Sequence, residues 1–366
     1  MRFSDAITRC AGLLAVLLVA VPAAVAQEPE ALTVVTWGGA YEAAQKSAVF
    51  VPFTKATGIP VEVKRYSGAI GSLRKRAEAE SWDVIDMLEA DAITGCEDGL
   101  LRKLRHDEIL GGLDRAVRRD FAPTRLRPCS LPQNVFATVM AYDDRAYPGL
   151  KPTRIEDFFD VEEFPGKRAI HRSPDVILEW ALMAEGVPAA QVYDLLSTDR
   201  GLRLALRRLE ALRGHIVWWE DAGAPARLLE KGEVAMASGY NGRFFAAAQD
   251  RGAPVSVIWD GRLIGTDVWA VPVTTDRPEA ARAFLEFATR PEVMAGLAAR
   301  IPYGPARKSA MEWIGLHPES GVPMRDHLPN APQHGARMLV RDSVWYSHTE
   351  AIRERRFEAW LEKGGG

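Results

Sequence analysis

Short apolar blocks, separated by segments of helical period, run through the first ninety or so positions of the chain. Residues 31–36 form a β-rich run, residues 61–66 alternate, and residues 84–88 are again apolar. Between them, residues 41–57 keep a helical period in spite of Pro52. Residues 67–71 read as a Gly-containing loop and residues 73–80 as a charged helix face. Repetition of strand, turn and helix predicts an α/β unit with a parallel or mixed sheet.

A second unit follows. Residues 136–142 predict a strand that leaves the first unit, and residues 153–159 open another, with Thr153 and Glu156 at capping-box spacing. Helices are expected over 176–183, 191–195 and 202–212, and short strands over 216–218, 234–237 and 255–258. A strand over 269–273 and a helix over 278–289 come next. Ile301-Pro302-Tyr303-Gly304-Pro305 reads as a stiff extended connector, and residues 349–361 as a charged terminal helix.

Composition narrows the class. Arg2 and Arg9, an apolar run over 11–21 and the small residues Ala24-Val25-Ala26 make residues 1–26 a cleaved secretory signal peptide, which implies a soluble protein exported to the periplasm. Cys10 precedes the apolar run, which argues against a lipid anchor there. Once Arg2, Arg9 and Asp5 leave with the leader, 44 basic residues face 48 acidic ones, so no nucleic-acid partner is expected. The remaining pair, Cys96 and Cys129, predicts a disulfide in an oxidising compartment; two separately buried thiols are the alternative. No nucleophile elbow, zinc-helix motif or phosphate loop is present, and the 7 histidines show no ligand spacing. Neither an enzyme, a cofactor nor a metal site is therefore expected.

Several stretches together carry a resemblance. They are residues 32–41 (LTVVTWGGAY), 82–86 (WDVID), 95–101 (GCEDGLL), 218–220 (WWE), 233–243 (EVAMASGYNGR) and 301–305 (IPYGP). In this order the chain resembles the periplasmic spermidine/putrescine-binding family of ABC-importer substrate-binding proteins. The resemblance implies an α/β, bilobal periplasmic-binding-protein fold, with lobe one from 27–141 and 266–301 and lobe two from 142–265 and 302–366. It also implies a monomer that closes over a small polar amine and delivers it to the membrane permease subunits of an ABC importer. Ligand contacts on both lobes would favour the closed state.

Candidate ligand contacts follow. Trp37, after the first strand and before Gly38-Gly39, would wall the cleft, with Tyr41 beside it; both could instead cap the lobe-one core. Asp267 matches the family's acidic, amine-binding position; a turn-capping role is its alternative. Glu89 and Asp91 could add negative charge, and Trp219, Glu220 and Tyr240 would form the opposing wall, with Trp218 turned into the core by strand alternation. Around residues 173–179 only Asp175 and Glu179 stand where the family's polyamine binders carry acids, and their positions are shifted. Ser67 and Arg243 could then hold a carboxylate or hydroxyl, although Arg243 could equally pair with a structural acid. Capture of a polyamine-like cation is thus the first expectation. A zwitterionic amine or amino-acid derivative, a thiamine-like compound or ferric iron is the alternative.

Overall fold

The computed structural model describes residues 30–66, 68, 70–121 and 124–363. The expected leader and Ser67 lie outside these residues. Lobe one is built on three parallel strands, β1 (Leu32–Thr36), β2 (Val61–Arg65) and β3 (Val84–Leu88). Two long antiparallel strands, β4 (Ser130–Asp143) and β8 (Val255–Ala270), continue the sheet into lobe two. There β5 (Arg168–His171), β6 (Ile216–Trp219) and β7 (Met236–Tyr240) are again mutually parallel. The strand order β2-β1-β3-β8-β4-β7-β5-β6 makes β4 and β8 the shared spine of a bilobal α/β fold.

Sequence patterning divides β8 in two and begins β4 too late. Asp260, Gly261, Arg262 and Gly265 break the apolar period between residues 255 and 270, so only its ends look strand-like. β4 pairs with residues 255–258 and 263–270 of β8, with register shifts after Pro132 and Thr138, and the second shift leaves residues 259–262 as a bulge between the two stretches. The helix expected over 41–57 forms as Gly39–Gln45 and Val51–Thr57 joined by a wide turn at Lys46–Phe50, just before Pro52, which has no amide to donate. At the helix Ile155–Phe159 the expected Thr153–Glu156 box is displaced. The Asp157 carboxylate accepts from the Thr153 and Arg154 amides at 2.7 and 3.0 Å, while Glu156 pairs with Arg337.

Each lobe buries apolar side chains on both faces of its sheet. In lobe one, Trp269 packs edge-on against Phe284 with ring centroids 5.1 Å apart, and Trp82 lies wholly buried on the other face. In lobe two, Trp180 and Phe158 occupy the larger core. Removing such side chains from water contributes about 1.5–3 kcal/mol each. After Ile301, Ala306, Ala310, Met324 and Leu328 pack with Phe121, Phe245 and Met294, whereas Phe357 and Trp360 of the helix Ser343–Lys363 join the larger core. A short strand β9 (Gly304–Pro305) pairs with β4, and β10 (Met338–Val340) pairs in parallel with β8. Cys96 and Cys129 are disulfide-bonded with Cα atoms 5.7 Å apart, fastening the helix Glu89–Glu97 to the start of β4.

Candidate functional site

In open α/β sheets the carboxyl ends of parallel strands face the crevice where ligands bind. Here Trp37 follows β1, Leu88 ends β3, His171 ends β5, Trp219 ends β6 and Tyr240 ends β7, and all five line cavities between the lobes. The cleft has two chambers that share Leu88 and Tyr240. One is lined by Trp37, Tyr41, Phe136, Arg243, Asp267 and Tyr303 among others. The other lies against Thr138, His171, Asp175, Trp219, Ser238 and Arg341.

The first chamber has aromatic walls. Tyr41 and Tyr303 rings are 5.2 Å apart, and Phe136 meets Tyr240 edge-on at 5.5 Å. Phe136 lies opposite Gly265 across the β4–β8 pair, where a Cβ would come within 2.4 Å of its ring, so glycine is what lets the ring lie over β8. Tyr41 is fixed by Asn134, whose amide donates to its hydroxyl at 2.6 Å. Such rings offer apolar area and a quadrupole that attracts an ammonium group.

Asp267 is the chamber's acid. It is only 4 % exposed, and Asn134 is the hydrogen-bonding side chain beside its carboxylate. Burial pushes the carboxyl well above the usual range and the neighbouring charge of Asp86 raises it further, while Arg341, Asn134 and Arg243 pull the other way. Asp86 stands behind it, held by amide donors from Gln45 and Gln133 at 2.6 Å each, with burial raising its carboxyl to about 7. A cation placed at Asp267 would therefore favour the ionised carboxylate that burial and Asp86 disfavour.

Arg243 enters from the helix Asn241–Phe245 of lobe two and is 6 % exposed. Its Nη2 donates to the carbonyl of Gly38 at 2.9 Å, and its Nε has no partner. Among the described residues the guanidinium pairs with no structural acid, the alternative left open by the sequence. Gly38 and Gly39, at φ 75° and 62°, fold the backbone beneath it.

Several expected contacts stand elsewhere. Glu89 does not line either chamber, because Arg127 takes its carboxylate at 2.8 Å. Glu220 is exposed beyond the end of β6, and Ala222 lines the first chamber in its place. Asp91 lies off the lining, half-buried in the field of Arg341 and Arg353. Trp218 packs on Phe357 and Trp360 while Trp219 faces the second chamber, as alternation along a strand requires. The sequence reading missed Phe136, Tyr303, His171 and Arg341. Tyr303 had a signal, an aromatic inside a stiff proline-flanked crossing. Arg341 had none, since its neighbours in the chamber are remote in sequence.

Comparison with known proteins agrees with this architecture. The family model for bacterial extracellular solute-binding proteins matches residues 48–320. The chain is 35 % identical over 345 residues to the γ-aminobutyric acid-binding protein of Pseudomonas aeruginosa, covering 93 % of this chain and 94 % of that protein. Among solved structures it is similar to the binding protein MotA of A. tumefaciens B6 in complex with glucopine, with TM-score 0.81, 26 % identity and coverage of 90 % and 99 %. It is also similar to an ABC transporter substrate-binding protein from Bradyrhizobium japonicum USDA 110, with TM-score 0.76, 30 % identity and coverage of 91 % and 99 %. These relatives are binding proteins, and the role is non-catalytic. With its two α/β lobes, its inter-lobe cleft and a match spanning most of its length, the chain belongs to the family of bacterial extracellular solute-binding proteins.

Proposed function

We propose that the protein captures a small zwitterionic amine of the γ-aminobutyrate class outside the cytoplasm and delivers it to the membrane permease subunits of an ABC importer. One observation carries this reading: Asp267, a buried acid, shares a chamber with Arg243, a buried guanidinium whose Nε is unpaired among the described residues. Asp267 binds the ammonium, Arg243 the carboxylate, and Trp37, Tyr41 and Tyr303 the methylenes between them. The relatives support the same class, since one is named for γ-aminobutyric acid and another was crystallised with glucopine.

A polyamine fits less well. It needs an acid at each end, but Glu89 is paired with Arg127, Asp175 with Arg341 and Arg353, and Glu220 faces out. Arg243 would repel a second ammonium. Ferric iron calls for ionised tyrosine oxygens, and burial raises the Tyr41, Tyr240 and Tyr303 hydroxyls of the chamber away from that form, so it has less support.

Calorimetric titration of two variants tests the assignment. A lost charge-assisted hydrogen bond of about 1.5–3 kcal/mol corresponds to roughly tenfold or more in affinity. Asp267→Asn is expected to weaken γ-aminobutyrate and its carboxylate-free amine analogue alike. Arg243→Gln is expected to weaken only the former. Equal loss of both ligands in Arg243→Gln would make that arginine a structural strut rather than a ligand contact.

A further inference from the structure

Asp267 has a second acid for a neighbour. It pairs in register with Leu88 across β3 and β8, and Asp86 lies two residues back along β3, so both carboxyls project from the same face of the sheet. Both are buried, Asp86 wholly so. The basic side chains that face them are engaged elsewhere: Arg243 gives its Nη2 to the carbonyl of Gly38, and Arg341 gives its Nη2 to Asp175. Two acids in one desolvated space do not both ionise readily, because the charge on each raises the proton affinity of the other.

Hydrogen bonding decides which of the two carries the proton. Asp86 accepts from the amides of Gln45 and Gln133 at 2.6 Å each and from the Thr36 hydroxyl at 3.4 Å, with the Tyr41 hydroxyl also beside it. Asp267 has the amide of Asn134, which also serves the Tyr41 hydroxyl at 2.6 Å. Donors around a carboxylate stabilise its ionised form, so this asymmetry leaves the negative charge on Asp86 and the proton on Asp267. The other titratable groups facing the pair are Tyr41, Tyr66, Tyr240 and Tyr303. Burial raises all four hydroxyls, which keeps them neutral near pH 7.

Resting on the zwitterion reading, we infer that Asp267 carries a proton before the ligand arrives and that the incoming ammonium displaces it, with Asp86 as the positioning residue that holds the proton there. The Asp267 O–H bond breaks, its electron pair stays on the carboxylate oxygen, the proton passes to solvent, and an ammonium N–H donates to that oxygen instead. One cation enters and one proton leaves, so the buried charge of the site is conserved, and the anionic Asp86 remains behind the contact. Proton and ammonium compete for one oxygen. Acid therefore opposes capture, and affinity rises with pH until Asp267 ionises without ligand. The ligand's own groups keep their charges over this range, since a free carboxyl titrates at about 4 and an alkyl amine at about 10.

Calorimetric titration of the ligand-free protein with γ-aminobutyrate at pH 7, in phosphate and in Tris, tests this, because the two buffers take up a proton with very different heats. Release of about 0.5–1 proton per bound ligand is expected, and affinity should rise about five- to tenfold per pH unit between about pH 5.5 and 7. In Asp267→Asn, whatever binding remains should release no proton. In Asp86→Asn the neighbouring charge is gone, so the rise in affinity should level off at a lower pH; the unpaired Gln133 Oε1 can turn to accept from the new amide. Binding without proton exchange, or a flat pH profile, would overturn the displacement while the zwitterion reading stands. Release that persists undiminished in Asp267→Asn would overturn it too, and an unmoved profile in folded Asp86→Asn would overturn the pairing of the two acids. If γ-aminobutyrate does not bind, both readings fail.

Discussion

Arg243 and Gly38 meet across the cleft, the guanidinium Nη2 of one lobe donating to the main-chain carbonyl of the other at 2.9 Å. The contact depends on the residue that follows. A Cβ at Gly39 would lie 2.1 Å from Arg243 Nη1, and Gly39 has φ 62°, where side chains are strained. Gly39→Ala is therefore expected to push the guanidinium out of place and weaken γ-aminobutyrate binding by roughly tenfold or more. Calorimetry on the variant checks it, with unfolding monitored in parallel, and unchanged affinity would contradict the assigned role of Arg243.

The Cys96–Cys129 bridge closes a loop between cysteines 33 positions apart. On the chain-entropy model a loop of that length stabilises the fold by about 3–4 kcal/mol. Urea unfolding of the oxidised and reduced protein should show a clearly lower midpoint after reduction. Coincident curves would mean that the bridge adds nothing to stability.

Asp91 gives a pH-dependent prediction. Burial pushes its carboxyl up to about 7, with Glu350 and Asp175 adding to the rise and Arg341 and Arg353 opposing it. A carboxyl whose folded pKa exceeds its unfolded value binds the proton more tightly in the native state. Its stabilisation is complete below about pH 4 and is lost as the pH rises through about 7. Asp91→Asn should thus melt at a higher temperature than the parent protein at about pH 8, with the gap closing toward about pH 4. A gap that widens on acidification would contradict the direction of the shift.

Much of the architecture was legible in the sequence because local patterns and tertiary structure agree there. Residues 32–36, 61–65 and 84–88 pair as parallel strands where their apolar runs predict them. Trp218 and Trp219 point to opposite sides as strand geometry demands. What escaped is non-local. Residues 263–268 of β8 are held as a strand by pairing with β4, and Arg341 reaches the second chamber through β10, whose place on β8 is set by long-range pairing. Glu89 and Glu220 were singled out by charge and position alone. Their exclusion from the lining depends on Arg127 in one case and on the turn after β6 in the other, neither of which a local pattern reveals.

Titration of the ligand-free protein with γ-aminobutyrate and with putrescine, under the same conditions, tests the central claim most directly. The presence of Asp267 and Arg243 in one chamber predicts saturable binding of γ-aminobutyrate in the micromolar range or tighter, and at least about a hundredfold weaker binding of putrescine. Tight binding of putrescine with no heat from γ-aminobutyrate would contradict it.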